Sequence, residues 1–236
     1  MMEKKIGLSA LALKWIAVIT MLTDHLGIAL LGTAPDAVCG GMRIAGRLAF
    51  PIYCFLLVEG FYHTSDIKKY LIRLGVFALV SEIPFDLLLF GRLFYTDYQN
   101  VFFTLFIGLM LLYLYSRFLA NVQPIYAIMA FVSMLCLAFV IRSDYGAEGV
   151  LIIFLFYFFR TRPVPMVISI GIVLFLMGGI EPFAMLAFLP IAVYNGERGG
   201  RIPDSPAKRI WQKYFFYCFY PVHLVLLWAV EYFLLS

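Results

Sequence analysis

Charge is scarce in this chain. Only 14% of its 236 residues are Asp, Glu, Lys or Arg, against 64% hydrophobic residues. A soluble domain of this length needs far more surface charge, so a soluble globular protein is excluded as a class. The small positive balance of +4 gives no argument for nucleic acid, because the basic residues sit in loops between apolar runs. Cysteine is scarce too. Cys39, Cys54, Cys136 and Cys218 form no C-x-x-C pair, so neither a disulfide framework nor a zinc site is suggested and no metal is expected. They read as small apolar packing residues. The alternating pattern of a membrane barrel is absent. So are an internal repeat and the paired broken helices of many secondary transporters.

What the sequence has is long apolar stretches. Backbone groups in lipid must be satisfied within the segment, so these predict an all-α, polytopic integral membrane helical bundle. About nine transmembrane helices are expected, near 8–32, 47–62, 69–90, 101–118, 123–141, 147–160, 164–179, 181–195 and 213–235, in a single transmembrane domain over 1–236. Breaks at Arg160–Pro163 and Gly178–Pro182 separate the short sixth, seventh and eighth spans. The first run is too long for a signal peptide, and Asp24 and His25 interrupt it, so it is expected to stay as a helix. Thirteen basic residues fall on one side: Lys4, Lys5, Lys68, Lys69, Arg73, Arg117, Arg160, Arg162, Arg198, Arg201, Lys208, Arg209 and Lys213. Four fall on the other: Arg43, Arg47, Arg92 and Arg142. The positive-inside rule then predicts a cytoplasmic N-terminus and an outer C-terminus in a bacterial inner or plasma membrane.

Against this background the buried polar residues need explaining. Asp24 and His25 stand side by side within the first apolar span. An ionisable group at that depth costs at least a few kcal/mol unless it has partners or water. Lys14 lies eleven residues earlier, about three turns back on nearly the same face and about 16 Å shallower. A cation at the cytoplasmic mouth with an acid/base group deeper in suits a long anionic donor; the alternative for Lys14 is snorkelling to the interface. Neighbours in a helix point about 100° apart, so Asp24 need not touch His25. Arg47, Glu82, Asp86, Gln99, Asn100 and Glu148 share the outer half of this arrangement. They form either one convergent site or separate ion pairs, such as Arg47 with Glu82 or Asp86. Glu59 and His63 lie near the inner face, and His223 falls in the middle of the last span.

The runs LKWIAVITMLTDHLG, RIAGRLAFPIYCFLLVEGFYHT, KKYLIRLGVFALVSEIPFDLLLFG, QNVFFTL and KYFFYCFYPVHLVLL resemble, in order along nearly the whole chain, the TraX family. Its namesake is associated with N-terminal acetylation of conjugative pilin. The first span also resembles a wider group of transmembrane acyltransferases, including the acyltransferase-3 proteins and lysosomal heparan glucosaminide N-acetyltransferase. Acyltransferase-3 proteins carry an arginine, ten residues, then a histidine. Here Lys14 and His25 have that spacing, with a point charge in place of the planar guanidinium fork.

The resemblance implies a membrane-integral acetyltransferase taking acetyl from cytoplasmic acetyl-CoA to an amine or hydroxyl on the outer side. A glycan, a lipid-linked precursor and a protein N-terminus all fit as acceptor. His25 would be the general base, with Asp24, Glu82 or Asp86 fixing its tautomer. Lys14, Arg47, Gln99, Asn100, Glu59 and His223 are the candidate donor-binding residues, and Arg47, Gln99 or Asn100 could donate to the oxyanion. The alternative is a small proton-coupled transporter or flippase that uses the buried acids and histidines as a relay.

Overall fold

The computed structural model describes residues 6–199 and 205–235, with side chains 206–213 and 234–235 left out of the description. Lys4, Lys5 and Arg201 lie outside the described residues, as do the side chains of Lys208, Arg209 and Lys213. Among the described residues the chain is all-helical. The helices are α1 (Ala10–Ala29), α2 (Asp36–Gly46), α3 (Ala49–His63), α4 (Ile67–Phe90), α5 (Val101–Ala120), α6 (Pro124–Val140), α7 (Gly146–Phe158), α8 (Pro163–Met177), α9 (Phe188–Ala192) and α10 (Pro206–Val230). A 3₁₀ helix, Glu181–Ala187, precedes α9.

Local chemistry sets many of these boundaries. Ser9 caps α1 by accepting from Ala12 N–H (3.3 Å), and Asn100 caps α5 by accepting from Phe102 N–H (3.0 Å). α6 and α8 each open on a proline, whose fixed φ suits the first helical turn and whose missing N–H would have had no partner there. α4 ends on Gly91 in the left-handed region (φ 62°), which a glycine adopts without steric cost. Gly178 and Gly179, both at positive φ, end the apolar run after α8.

Four helical segments among the described residues are long and apolar enough to cross a bilayer: Ala10–Ala29, Asp36–His63, Val101–Ala120 and Tyr214–Phe233. α4 has 24 residues but carries Lys68, Lys69, Arg73, Glu82 and Asp86. α6, α7 and α8 are apolar but shorter, at 17, 13 and 15 residues. Thirteen residues span only about 20 Å against a hydrocarbon core of about 30 Å. By its long apolar helices the chain is a helical, multi-pass membrane protein.

Two elements differ from the sequence expectation. The second span starts not at 47 but at Asp36, because α2 precedes α3 with only a short break between them. Gly40, Gly41 and Arg43 dilute the apolar signal of α2 and hide it. The expected span 181–195 is a 3₁₀ helix followed by the five-residue α9, since Pro182 and Pro190 remove backbone donors a long helix would use.

The helices cluster into two compact units, Met1–Leu56 with Gly178–Ser236, and Leu57–Met177. In the first, α1 packs on α2 and α10, and the 3₁₀ helix packs on α2 and α9. Gly46 permits the α1–α2 approach: a Cβ there would lie 2.2 Å from that of Asp24. The start of α1 is tied to the segment after α9. Leu8 N–H donates to Val193 C=O (2.8 Å), Asn195 N–H to Leu8 C=O (2.9 Å) and Ala10 N–H to Glu197 C=O (2.8 Å). In the second unit α5 packs on α4, α6 and α7, with Gly108 backed against Ile153.

Candidate functional site

The first unit gathers its charged side chains around α1. Asp24, buried on α1, accepts from Arg43 Nε (2.9 Å) on α2 and from Nη2 of Arg47 just beyond it. Arg43 and Arg47 are one turn apart, so both guanidinium groups reach one carboxylate. Arg47 Nη1 also donates to Glu181 Oε1 (2.8 Å) at the start of the 3₁₀ helix. Two cations and two carboxylates thus close a balanced network inside apolar packing, as buried charge requires. Glu181 was not a sequence candidate. The signal for it was arithmetic: Asp24 leaves one of the two arginines uncompensated, and Glu181 is an acid within an otherwise apolar segment.

His25 occupies the next position on α1, turned away from this network. It is buried, and its ring partner is His223 on α10, not Asp24. His25 Nδ1 and His223 Nε2 lie 2.9 Å apart, across 198 residues of sequence. Asp24 is engaged by the arginines and points about 100° away, so it does not orient the imidazole directly. His223 Nδ1 lies 2.8 Å from the Phe219 carbonyl oxygen one turn back, and the Phe219 ring stacks on the His223 ring at 4.8 Å. Tyr220 meets the His25 ring edge-on at 5.9 Å. Both rings are thus held by contacts on α1 and α10.

Lys14 lies toward the start of α1, its ammonium 5.4 Å from the centre of the Phe216 ring on α10. Arg198, on the segment tied to the start of α1, is near enough to act on it as a like charge. Among the described residues no carboxylate pairs with Lys14. The first unit therefore carries Lys14, with Arg198 near it, toward the start of α1 and an imidazole eleven residues further along the same helix.

The remaining sequence candidates lie in the second unit and find partners there. Glu82 on α4 accepts from Asn100 Nδ2 and, at 3.5 Å, from Asn100 N–H. Asn100 Nδ2 also donates to Ala78 C=O (2.8 Å). Asp86 Oδ2 accepts from Tyr95 N–H (2.8 Å). Gln99 does not join them: its side-chain nitrogen donates to Thr96 C=O (2.9 Å). Glu59 accepts from Arg160 Nε (2.9 Å), and that guanidinium lies 4.4 Å over the Tyr62 ring. His63 and Glu148 are exposed. Of the two alternatives for Arg47, one convergent site or an ion pair such as that with Glu82 or Asp86, the arginine makes ion pairs, and its carboxylates are Asp24 and Glu181. Among the described residues no group of His, Cys, Asp and Glu is arranged to hold a metal ion.

Chemically, the first unit offers a buried imidazole supported by a second imidazole, two guanidinium groups nearby and, toward the start of the same helix, an ammonium with no carboxylate partner among the described residues. That is a set able to accept a proton, stabilise developing negative charge and bind an anion. No solved structure matches the chain. A protein described as a probable fimbrial assembly protein FimC, serogroup H1, from Dichelobacter nodosus is 30% identical over 263 residues, covering 99% of this chain and 100% of that protein. The family profile described as TraX protein matches residues 9–231. The chain belongs to the TraX family.

Proposed function

We propose that this protein is an acetyl-CoA-dependent transmembrane acetyltransferase that modifies an amine or hydroxyl presented on the outer side of the cell membrane. The observation that carries this reading is the buried imidazole of His25, paired with His223 of α10, on the helix that also holds Lys14 eleven residues toward its N-terminus. The resemblance to a fimbrial assembly protein makes the N-terminal amine of a pilin-type subunit the first acceptor to test.

The phosphates of the donor rest near Lys14 and Arg198 at the cytoplasmic end of α1, and the pantetheine arm extends along α1 toward His25. An extended arm is suited to the about 16 Å that separates positions eleven apart on a helix. The acceptor amine attacks the thioester carbonyl and gives a proton to neutral His25 as the new C–N bond forms. The C–S bond breaks, the thiolate of CoA leaves, and the proton held by His25 returns to it. Arg43 is the better oxyanion donor of the two arginines. Both terminal nitrogens of Arg47 are already bound to carboxylates, whereas among the described residues Arg43 uses only Nε, on Asp24. One such donor is commonly worth about 3 kcal/mol in the transition state.

The test is transfer of labelled acetyl from acetyl-CoA to a pilin N-terminal peptide by the purified protein in proteoliposomes. His25→Gln is expected to abolish transfer while insertion in the membrane and thermal stability are kept. Normal transfer by that variant overturns the assigned role. Lys14→Ala is expected to raise KM for acetyl-CoA with kcat little changed. Solute or proton flux without acetyl-CoA, together with no saturable acetyl-CoA binding, would replace the enzyme with the transporter reading.

A further inference from the structure

We infer that His223 is a positioning residue that fixes the tautomer of His25, holding hydrogen on His25 Nδ1 and leaving Nε2 as the nitrogen that accepts a proton. The inference deepens the acetyltransferase reading and rests on it for its catalytic meaning. The hydrogen-bond order itself follows from three atoms. The Phe219 carbonyl can only accept, so His223 Nδ1, 2.8 Å away, carries the hydrogen. In a neutral imidazole with hydrogen on Nδ1, Nε2 is a bare lone pair. That lone pair lies 2.9 Å from His25 Nδ1, which must then be the donor.

Free neutral histidine favours hydrogen on Nε2, so His25 and His223 are both held in the less common form.

The order has a direction, from His25 through His223 to a backbone carbonyl. When His25 takes a proton at Nε2, its Nδ1–H becomes a charge-assisted donor to His223 Nε2, and the bond shortens without any ring having to turn. Buried carboxylates commonly serve this purpose in other histidine bases. Here the nearest carboxylate, Asp24, is committed to Arg43 and Arg47, and a neutral imidazole takes the place. A neutral partner leaves the site without a further buried negative charge.

The experiment is ¹⁵N NMR of the full-length protein, labelled at histidine, in lipid bilayers. The chain has three histidines, His25, His63 and His223, so His25→Gln and His63→Gln spectra assign the signals. The expected result is hydrogen on Nδ1 and a bare Nε2 for both His25 and His223 at neutral pH. Hydrogen on Nε2 of His25 overturns the inference. Two variants carry it to catalysis. His223→Gln keeps an acceptor oxygen near the Nε2 position and should retain the His25 tautomer and most of kcat. His223→Leu should release the tautomer and lower kcat by about 100-fold or more, with KM for acetyl-CoA unchanged. Equal losses in the two variants, or wild-type kcat in His223→Leu, overturn the positioning role. The expected spectrum from a protein that transfers no acetyl sinks the enzymatic reading alone and leaves the hydrogen-bond order standing.

Discussion

The acids at the centre of the two units are held in opposite ways. In the first, Asp24 and the half-buried Glu181 are matched by guanidinium groups: Asp24 by Arg43 and Arg47, Glu181 by Arg47. In the second, Glu59 has Arg160, but Glu82 and Asp86 on α4 are held by neutral donors, the side-chain and backbone N–H of Asn100 and the backbone N–H of Tyr95. Among the described residues Glu82 Oε1 and Asp86 Oδ1 have no hydrogen-bond partner, and no Lys or Arg pairs with either residue. The contrast teaches where rigidity lies. A closed ion network fixes α1, α2 and the 3₁₀ helix around the position next to His25. The carboxylates of α4 have spare acceptor capacity and no fixed counter-charge.

Removing a cation should break the first arrangement hardest. Arg47→Met leaves two mostly buried carboxylates short of their shared partner and is expected to destabilise the protein by about 3–5 kcal/mol, read by thermal or denaturant unfolding in detergent. A loss under about 1 kcal/mol would mean the pairs are as weak as those on a surface. Next comes Gly46→Ala, whose Cβ would meet Asp24 at 2.2 Å. It should cost about 1–3 kcal/mol and weaken the Arg43–Asp24 contact by spreading α1 from α2. Infrared detection of the Asp24 carboxylate environment checks the second effect. A smaller effect is expected from Glu82→Gln in the second unit. The amide oxygen still accepts from Asn100, no cation loses its partner, and stability should change by less than about 1 kcal/mol. A loss as large as that of Arg47→Met would erase the contrast between the units.

Much of this was readable from the residues. The adjacent Asp24 and His25 in an apolar run, Lys14 eleven before, and Arg43 and Arg47 one turn apart all stand out against hydrocarbon, and the structure places Asp24 with both arginines. Helix α5 and the caps at Ser9 and Asn100 follow local rules that need no tertiary information. The His25–His223 contact was not readable, because nothing in a sequence pairs two residues 198 apart. Glu181 was hidden for another reason: it opens a Gly- and Pro-rich break, where a charge ordinarily meets water. α2 was missed because two adjacent glycines and an arginine lower its apolar content, although its neighbours in the chain are helical.

The smallest expected effect lies outside both polar clusters. Asp66 caps α4, and the backbone and side-chain donors of Lys69 hold its carboxyl below the usual carboxylate range. A lowered folded value contributes stability above the unfolded value of about 4, and that contribution fades as pH falls through the lower folded value. Asp66→Asn keeps the cap but not the titration. Unfolding midpoints of wild type and variant should therefore draw together slightly as pH drops below about 4, and midpoints that stay parallel would remove the carboxylate from the account.

The most direct test of the central claim is transfer across a sealed membrane. Proteoliposomes with one protein orientation would carry labelled acetyl-CoA on the Lys14 side and a pilin N-terminal peptide on the other. The account predicts labelled peptide on the far side, free CoA on the near side, and neither with His25→Gln. Peptide labelled only when both substrates share one compartment, or labelled equally well by His25→Gln, would contradict it.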